Sequence, residues 1–208
     1  MATQQGWNQS VPQEILVATQ LQQLVQNKEY DQLAEVLDKL AVKDDGVLGV
    51  EECKHEGMGA ESSVTITFTD GRVLRHVDDE FWKAIAVTNT AAGMWQVYLL
   101  RNMWTYLPLF WHANYDKRVY IYTPAQMTII NSKPELGDNP IDIDFSRYDI
   151  APRIEIQGDR FLVSACYWSD FEGLVREELP LGLNVIGQIV FFEPKKTVLF
   201  PYDCGICY

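Results

Sequence analysis

The stretch RIEIQGDRFLVSACYW, residues 153–168, decides the fold. Its two halves, Arg153–Gln157 and Arg160–Trp168, are rich in aromatic and β-branched side chains, which favour strands. Between them lies the dipeptide Gly158-Asp159, which is typical of a tight turn. These sixteen residues therefore predict a β-hairpin.

A second hairpin is predicted nearer the N-terminus. There, Val64–Thr69 and Arg72–Val77 flank Asp70-Gly71, a two-residue link that favours a type I′ turn. Strands joined by short turns pair antiparallel, so the two hairpins predict a mainly antiparallel sheet. A doubly wound α/β fold is not expected, because no glycine-rich turn links a strand to a helix.

Alternating or apolar runs bounded by turn residues indicate further strands. They lie at Arg118–Thr123, Met127–Asn131, Ile141–Phe145, Val185–Glu193 and Thr197–Tyr202. We expect the last two to form a hairpin across Pro194-Lys195-Lys196.

The first 45 residues predict a helical hairpin. Ser10 and Gln13 have the spacing of a capping box at the start of the first helix. The second helix follows Asn27–Tyr30 and ends at Lys43–Gly46. It carries its apolar residues at i, i+3, i+4 and i+7, namely Leu33, Val36, Leu37 and Leu40.

Three more helices are predicted from their capping residues. Asp78 caps a helix that contains Phe81 and Trp82, and Thr90 opens one that runs from Ala91 to about Tyr106. Ser169 and Glu172 form a capping box for a helix over Asp170–Leu179.

The sequence thus predicts an α+β protein. The N-terminal helical hairpin, residues 1–45, packs on a body, residues 46–208, in which two or three helices cover a mainly antiparallel sheet. No linker rich in glycine, serine or charge divides the chain, so we expect a single domain over residues 1–208.

The charge balance bears on the partners. Lys and Arg number 17 and Asp and Glu 29, so the net charge is 17 − 29 = −12. This charge repels nucleic acid and anionic lipid, which leaves a basic protein partner or simple solubility as its role. The apolar stretch at residues 94–113 contains Arg101 and Pro108, which disfavour a membrane span. The first ten residues lack the pattern of a secretory signal, so we expect a cytoplasmic protein.

The cysteines allow one metal hypothesis. Cys53 and His55 could join Cys204 and Cys207 in a Cys₃His zinc site. The Cys53-x-His55 spacing is not that of a common zinc knuckle, and the two pairs are far apart in sequence, so free thiols are favoured over zinc. A redox role for the last pair is not expected, because no helix can begin there. No cofactor is predicted.

One histidine is the best candidate for general-base chemistry. His112 follows the aromatic residues of the predicted Thr90 helix, and Asp116 is near enough in sequence to orient its imidazole. No Gly-x-Ser-x-Gly element accompanies them, and a satisfied core or surface histidine is the commoner role.

Four acidic residues are candidates for partner binding: Asp138, Asp142, Asp144 and Asp149. On a strand, Asp142 and Asp144 would share a face, where two carboxylates could hold Mg²⁺ or Ca²⁺. The spacing of an EF-hand loop is absent, so a charged edge that blocks sheet association, or a surface presented to a basic partner, is favoured.

Four tryptophans are candidates for ligand binding: Trp82, Trp95, Trp104 and Trp111. They fall within about thirty residues and would line a hydrophobic pocket next to the Thr90 helix if one exists. Aromatic residues at helical spacing are more often part of the core.

The last twenty residues, IVFFEPKKTVLFPYDCGICY, offer a resemblance. The residues that carry it are Phe191, Phe192, Phe200, Tyr202, Asp203 and Gly205. The segment resembles the ends of some small bacterial proteins, some of which are immunity proteins of toxin systems. That resemblance implies a protein that neutralises a toxin.

Three functional hypotheses follow. The first is a non-enzymatic, acidic interaction module, of the kind that an immunity protein represents, which neutralises a basic partner. The second is a small-molecule-binding protein or hydrolase-like enzyme with a cleft near the aromatic helix. The third is a structural zinc domain. The first is favoured because the sequence contains no complete catalytic constellation.

Overall fold

The fold is that of a computed structural model, which describes residues 12–55, 59–107, 118–131, 141 and 143–203. Within these ranges, side chains are described except at residues 12–15, 53–55 and 59–61. Helices and antiparallel sheets make up the described chain, which confirms the predicted α+β class. The single-domain organisation stays a prediction.

The helices come first. They are α1 (Pro12–Asn27), α2 (Leu33–Val36), α3 (Asp79–Lys83), α4 (Ala91–Asn102) and α5 (Pro124–Asn131). Short 3₁₀ turns lie at Tyr30–Gln32, Met103–Tyr106 and Phe145–Arg147.

The strands are β1 (Leu40–Val42), β2 (Val47–His55), β3 (Gly59–Thr67), β4 (Val73–Arg75), β5 (Ile85–Val87), β6 (Val119–Ile121), β7 (Arg153–Gln157), β8 (Arg160–Ser169), β9 (Gly173–Leu183), β10 (Ile189–Phe191) and β11 (Lys195–Phe200). They occur in two main groups along the chain, β1–β4 after α2 and β7–β11 at the end, with β5 and β6 between helices.

The largest sheet is built around β8 and β9, which pair antiparallel from Arg160↔Gly182 to Ser169↔Gly173. Both β10 and β11 pair with the other side of β9. Both β6 and β7 pair with the other side of β8. Two long central strands are thus flanked by two edges, each made of two short segments. Smaller antiparallel sheets join β2, β3 and β4, and β1 with β5.

The alternation of β8 divides its side chains between two cores. Phe161, Val163, Ala165 and Tyr167 face the larger core, which also receives apolar residues of α1, α4 and the β2–β4 sheet. Cys166 and Trp168 face a smaller core on the opposite side. The sheet is therefore covered on both faces along this end.

Both predicted hairpins are present. The link between β7 and β8 has two residues, and Gly158 takes a φ of +66° there. The turn between β3 and β4 differs from the prediction. The Gly71 N–H donates to the Phe68 carbonyl, and the Phe68 N–H donates to the Arg72 carbonyl. Only Gly71 has positive φ, so this is a three-residue loop with a glycine bulge, and the type I′ prediction is wrong.

The capping predictions for α3 and α4 are confirmed in position. The Thr90 hydroxyl accepts a hydrogen bond from the Gly93 N–H at 3.1 Å, as an N-cap does. Asp78 precedes α3, but its carboxylate accepts from the Arg75 N–H instead of capping the helix. Ser10 lies outside the described residues, so its capping box at the start of α1 stays a prediction.

The second helix of the N-terminal hairpin is shorter than predicted. It is limited to the 3₁₀ turn at Tyr30–Gln32 and the single turn α2. Leu33 and Leu37 are buried as the helical pattern requires. Leu40 instead begins β1, where it pairs with Val87 of β5, so tertiary pairing overrides the helical periodicity.

The helix predicted over Asp170–Leu179 is wrong. The Ser169 hydroxyl accepts hydrogen bonds from the N–H groups of Phe171 and Glu172, as expected for a cap, but these bonds close a turn. At Gly173 the backbone has a φ of +86° and enters β9. Pairing along the whole of β8 stabilises this strand more than a short helix could be stabilised alone.

Two strand predictions between β6 and β7 are also wrong. Residues 127–131 belong to α5, and at its start the Gln126 amide oxygen accepts from the Thr123 N–H at 2.7 Å and from the Thr123 hydroxyl at 2.8 Å. Within the predicted strand at residues 141–145, the described residues form no strand. There, Asp144 caps a 3₁₀ turn.

The predicted hairpin across Pro194-Lys195-Lys196 is wrong as well. Residues 184–188 form the turn, and the chain then runs along one edge of β9 as β10 and β11. Proline has no N–H to donate, so Pro194 interrupts this edge without reversing it.

The close approach at Gly173 gives a stability prediction. An added Cβ would lie 2.1 Å from the Phe200 carbonyl oxygen and 2.6 Å from the Tyr202 nitrogen, whereas nothing lies within 4 Å of a Cβ on Gly158. Both glycines have positive φ, so the difference between their alanine variants isolates the clash. We expect Gly158→Ala to lower the free energy of unfolding by about 1 kcal/mol and Gly173→Ala by more than about 3 kcal/mol in urea titrations. Equal losses would contradict this packing.

Candidate functional site

A buried carboxylate marks the candidate site. Glu177 of β9 is only 2% exposed. Its neighbours at i−2 and i+2, Val175 and Leu179, belong to the larger core, so the strand alternation points Glu177 into that core. Acidic side chains are almost never fully buried unless they are paired. The partners of Glu177 therefore define the site.

The partners come from α4 and β6. The Tyr98 hydroxyl donates to Glu177 Oε2 at 3.1 Å. The Tyr120 hydroxyl lies 3.5 Å from the same oxygen and 3.1 Å from Asn102 Oδ1. Arg101 Nη1 is 3.8 Å from Glu177 Oε2, which makes this the nearest cationic group in the described residues. We call Glu177, Tyr98, Tyr120, Arg101 and Asn102 the buried carboxylate cluster.

Helical spacing explains how α4 supplies three members of the cluster. Tyr98, Arg101 and Asn102 lie at i, i+3 and i+4, which places them on one side of the helix. The guanidinium of Arg101 is partly exposed and lies 5.7 Å from the ring centre of Phe191. Arg101 thus reaches from solvent along an aromatic side chain toward the buried carboxylate.

Aromatic rings surround the cluster. Trp95 stacks on Tyr98 with ring centres 5.7 Å apart, and Tyr120 stacks on Tyr122 at the same separation. Tyr106 meets Tyr122 edge to face at 6.4 Å. Ring pairs at these distances contribute stabilisation beyond simple burial. They also exclude water from around the carboxylate.

Burial changes the pKa values of the tyrosine hydroxyls. It raises the pKa of the Tyr98 hydroxyl well above its ordinary value, and the nearby negative charge of Glu177 adds to the effect. Burial followed by the charge of Glu177 does the same to the pKa of Tyr120. Burial also raises the pKa of Tyr106 and of Tyr122. These side chains therefore stay neutral hydrogen-bond donors over the ordinary pH range.

Three buried polar atoms in this region have no hydrogen bond of good geometry: Asn102 Nδ2 and the hydroxyl oxygens of Tyr106 and Tyr122. The Tyr106 hydroxyl is nevertheless close enough to Gln22 and Tyr122 for both to affect its pKa. Buried polar groups of this kind are uncommon in folded proteins. The region around the cluster therefore contains more polar groups than packing alone requires.

Two cations lie at the side of the cluster next to Tyr167. The Arg118 guanidinium is 4.9 Å from the Tyr167 ring centre, and Lys196 Nζ is 5.8 Å from it. The Tyr167 hydroxyl donates to Glu172 at 2.9 Å. Cations at these distances are attracted to the face of the ring. Positive charge thus gathers beside the buried carboxylate of an otherwise acidic protein.

The predicted tryptophans occupy different environments. Trp95 is buried in the larger core. Trp82 is half-buried, donates to the His76 carbonyl at 3.2 Å and packs edge-on against Phe191. Trp104 is 41% exposed. Trp111 lies outside the described residues, and the pocket inferred from these four side chains stays a prediction.

Two of the predicted acidic residues are described, and both have internal partners. Hydrogen bonds from the Ser146 hydroxyl and N–H hold the pKa of Asp144 below its usual value, and Arg147 Nε adds a contact at 3.1 Å. Asp149 Oδ2 lies 2.6 Å from Arg153 and 3.6 Å from Arg176. Asp138 and Asp142 lie outside the described residues.

The remaining candidates fall where the structure is not described. His112, Asp116, Cys204 and Cys207 lie outside the described residues, as do the side chains of Cys53 and His55. Among the side chains that are described, no group of three or more His, Cys, Asp or Glu is arranged to hold a metal ion. Cys166, the only cysteine with a described side chain, is a buried free thiol.

The sequence contained a signal for Glu177 that the helix prediction hid. In LVREELPL, residues 174–181, Val175, Leu179 and Leu181 follow strand alternation, and Glu177 is the one charged residue in that series. A carboxylate at a core position of a strand indicates a buried polar site. The capping residues Ser169 and Glu172 favoured a helix and obscured the pattern.

Comparison with family models, with curated protein sequences and with solved structures found no match to this chain. Within the described ranges, none of the helices combines the length and apolar character needed to cross a bilayer. The functional argument therefore rests on the chain's own residues.

Two tyrosine variants test the buried carboxylate cluster. Tyr98→Phe removes a donor to a buried carboxylate and should lower the free energy of unfolding by about 1.5–3 kcal/mol. Tyr122→Phe removes an equally buried hydroxyl that has no well-formed hydrogen bond, so the free energy of unfolding should change by less than about 0.5 kcal/mol or rise. Chemical denaturation measures both. A larger loss for Tyr122→Phe than for Tyr98→Phe would contradict the assigned hydrogen bonds.

The raised tyrosine pKa values predict alkaline unfolding. In the unfolded chain the tyrosines ionise near pH 10, whereas in the folded protein the buried ones keep their protons. Their contribution to stability is therefore complete below about pH 10 and falls as pH rises, by about 1.4 kcal/mol per pH unit for each buried tyrosine.

Absorbance at about 295 nm and circular dichroism, followed from pH 9 to 12.5, measure this linkage. We expect the buried tyrosines to ionise in the same step that unfolds the protein. Complete tyrosine ionisation near pH 10 with native circular dichroism would show that they are accessible to solvent.

Proposed function

We propose that this protein is a non-enzymatic interaction module that binds a basic protein partner, as a toxin-neutralising immunity protein does. The proposal is supported by the net charge of −12 and by where unpaired negative charge lies on the described surface. Long-range attraction between a negative and a positive surface speeds encounter and disfavours partners of the wrong charge.

The supporting surface is an acidic ridge formed by Glu29, Asp31 and Glu35. All three are exposed, and they follow one another along the 3₁₀ turn and α2. None of the three forms an ion pair with a described residue. Lys28, the nearest cation in sequence, forms an ion pair with Glu52 instead, with its Nζ 3.1 Å from Glu52 Oε1.

One observation carries the proposal. Glu29, Asp31 and Glu35 are exposed carboxylates within seven residues of one another, and none of them forms an ion pair with a described residue. The ridge therefore keeps its negative charge available to a positively charged partner.

The ridge contrasts with the acidic residues predicted from the sequence. The carboxylates of Asp144 and Asp149 already contact Ser146, Arg147, Arg153 and Arg176, so a partner would have to displace these groups. Glu29, Asp31 and Glu35 can meet a basic partner without such a loss. We therefore place the main electrostatic contact at the ridge.

The variant Glu35→Lys separates binding from stability. It reverses the charge of an exposed side chain that has no ion-pair partner among the described residues, so the free energy of unfolding should change by less than about 0.5 kcal/mol. The same change should weaken partner binding by about fivefold or more. Denaturation gives the first quantity, and affinity purification of the tagged protein from its source cells at about 50 and 150 mM salt gives the second.

The matched control is Glu155→Lys, which makes the same charge change at an exposed residue of β7. It should leave partner recovery close to that of the natural protein. If no stoichiometric partner is recovered at either salt concentration, or if the partner is not basic, the proposed function is wrong. Equal losses for both variants would mean that net charge, and not the ridge, governs binding.

A second candidate is favoured by the buried carboxylate cluster. Glu177 lies beside α4, where the aromatic residues suggested a small-molecule site, and Arg118 and Lys196 lie nearby. Perturbed, buried ionisable groups are common at ligand sites. Native mass spectrometry of the protein purified from its source would show a bound small molecule if this reading holds, and the bare chain mass if it does not.

A further inference from the structure

The buried carboxylate cluster pairs a tyrosine with a proton acceptor inside the core. The Tyr98 hydroxyl donates to Glu177 Oε2 at 3.1 Å, and both side chains are at most 2% exposed. A hydrogen bond of this length is within reach of direct proton transfer. In the resting protein the proton stays on Tyr98, because burial raises the pKa of its hydroxyl well above the ordinary value.

Loss of one electron from Tyr98 would reverse this preference. A tyrosine ring that has lost an electron makes its hydroxyl a strong acid, so the proton moves to the base that already accepts its hydrogen bond. The Tyr98 O–H bond then breaks, a new O–H bond forms on Glu177, and a neutral tyrosyl radical remains. Since the phenol ring keeps no net charge, a hydrogen-bonded carboxylate makes such a tyrosine easier to oxidise.

A chain of aromatic rings connects Tyr98 with a side chain that reaches the surface. Tyr106 is half-buried and meets Tyr122 with ring centres 6.4 Å apart. Tyr122 lies 5.4 Å from Trp95, which stacks on Tyr98 at 5.7 Å. Electron transfer between side chains is fastest where aromatic rings are in contact, as they are at these distances. The chain therefore provides a route by which an electron can leave Tyr98.

Hydrogen bonding distinguishes Tyr98 from the other tyrosines of this region. The hydroxyls of Tyr106 and Tyr122 have no well-formed hydrogen bond through which a proton could leave. The Tyr120 hydroxyl is 3.1 Å from the amide oxygen of Asn102, and an amide oxygen is a very weak base. Among these four tyrosines, Tyr98 alone makes its best hydrogen bond to a carboxylate.

Charge distinguishes Tyr98 from Tyr167, which also donates to a carboxylate. The Tyr167 hydroxyl is 2.9 Å from Glu172, but the Arg118 guanidinium is 4.9 Å and Lys196 Nζ 5.8 Å from the Tyr167 ring centre. Cations are attracted to the electrons of an aromatic face, so they oppose the removal of an electron from that ring. Oxidation of Tyr167 is therefore disfavoured.

Arg101 approaches the Tyr98–Glu177 pair from the side of the carboxylate. Its Nη1 is 3.8 Å from Glu177 Oε2, and its guanidinium lies over the ring of Phe191. At that distance Arg101 does not form the short, bidentate contact that would make the carboxylate a poor proton acceptor. Glu177 therefore keeps its capacity to accept the Tyr98 proton.

We propose that Tyr98 is a redox-active tyrosine with Glu177 as its proton acceptor. A one-electron oxidant of the class of peroxide-derived or metal-based radicals takes one electron from Tyr98 through the ring chain, and the hydroxyl proton passes to Glu177. The protein then holds one oxidising equivalent in a core from which the aromatic rings exclude water. This activity goes beyond the proposed function and does not depend on it.

Flash oxidation of the purified full chain tests the assignment to Tyr98. Light generates tris(bipyridine)ruthenium(III) in the presence of a cobalt(III) amine, and electron paramagnetic resonance of freeze-quenched samples detects the radical. We expect a tyrosyl signal that outlives that of free tyrosine in the same solution. Tyr98→Phe should lower the radical yield at least about fivefold, because the hydroxyl that gives its proton to Glu177 is removed.

The matched control is Tyr148→Phe, which removes the hydroxyl of a half-buried tyrosine packed against the smaller core. Its radical yield should stay within about twofold of that of the natural protein. Equal yields for Tyr98→Phe and Tyr148→Phe would overturn the inference.

Infrared difference spectroscopy during the same oxidation follows the proton. The natural protein should gain the C=O stretching band of a protonated carboxyl group together with the radical. Glu177→Gln should lack that band, whereas Glu172→Gln, which alters the carboxylate paired with Tyr167, should keep it. A radical that forms without the band, or a band that persists in Glu177→Gln, would overturn the inference.

Circular dichroism establishes that each variant is folded. If Tyr98→Phe or Glu177→Gln does not fold, the infrared spectrum of the natural protein still decides, because only transfer to a carboxylate produces the band. The outcome is independent of the Glu35→Lys experiment, which bears on the binding of a basic partner alone.

Discussion

The burial of the Glu177 carboxylate is the constraint on which the core of this protein depends. A negative charge on the inner face of β9 needs donors and a cation, because its removal from water is costly. The Tyr98 hydroxyl and the Arg101 guanidinium supply them from one side of α4. These contacts favour the observed position and rotation of α4 over the sheet, in which both side chains meet Glu177.

The aromatic shell follows from that position. Once α4 lies over β9, Trp95 stacks on Tyr98, and Tyr120 of β6 reaches both Glu177 and Asn102. Neutral tyrosines suit such a place, since each combines a large apolar ring with one polar tip. The rings keep the local dielectric constant low and thereby strengthen the hydrogen bonds to the carboxylate. The position of α4 over β9 thus determines both how the aromatic rings pack and how they exclude water from the carboxylate.

The elements that the sequence revealed were those whose ends are set by local chemistry. The Gly158-Asp159 dipeptide identified the β7–β8 hairpin, in which Gly158 has positive φ. Thr90 identified the start of α4, which its side chain caps. The elements that sequence reasoning missed depend on distant partners. The β9 strand forms because all of β8 pairs with it, although Ser169 and Glu172 form the local bonds of a helix cap. The helix α5 is an exception, because Thr123 and Gln126 carried a local capping signal that the apolar run after them concealed.

The candidate site was harder to predict than the fold. Its members Tyr98, Tyr120 and Glu177 are distant in sequence, and only the pairing of β6, β8 and β9 under α4 brings them together. The exposed candidates behaved differently. Asp144 and Asp149 looked available in the sequence, but arginine and serine side chains close to them in the structure take up their oxygens. A list of acidic residues cannot distinguish these from the unpaired ridge at Glu29, Asp31 and Glu35.

Core and surface thus use charge in opposite ways. The one described carboxylate inside the large core is held by tyrosine hydroxyls and an arginine, so its charge contributes to a single packed arrangement. The ridge leaves its carboxylates without ion-pair partners among the described residues, so its charge remains available to another molecule.

The most direct test of this account is a double-mutant cycle between Tyr98 and Glu177, measured as free energies of unfolding for Tyr98→Phe, Glu177→Gln and the combined variant. If the hydroxyl-to-carboxylate bond organises the interface between α4 and β9, the two substitutions should be coupled by about 1–3 kcal/mol. Additive effects, with a coupling below about 0.3 kcal/mol, would show that the two side chains act independently and would contradict the account.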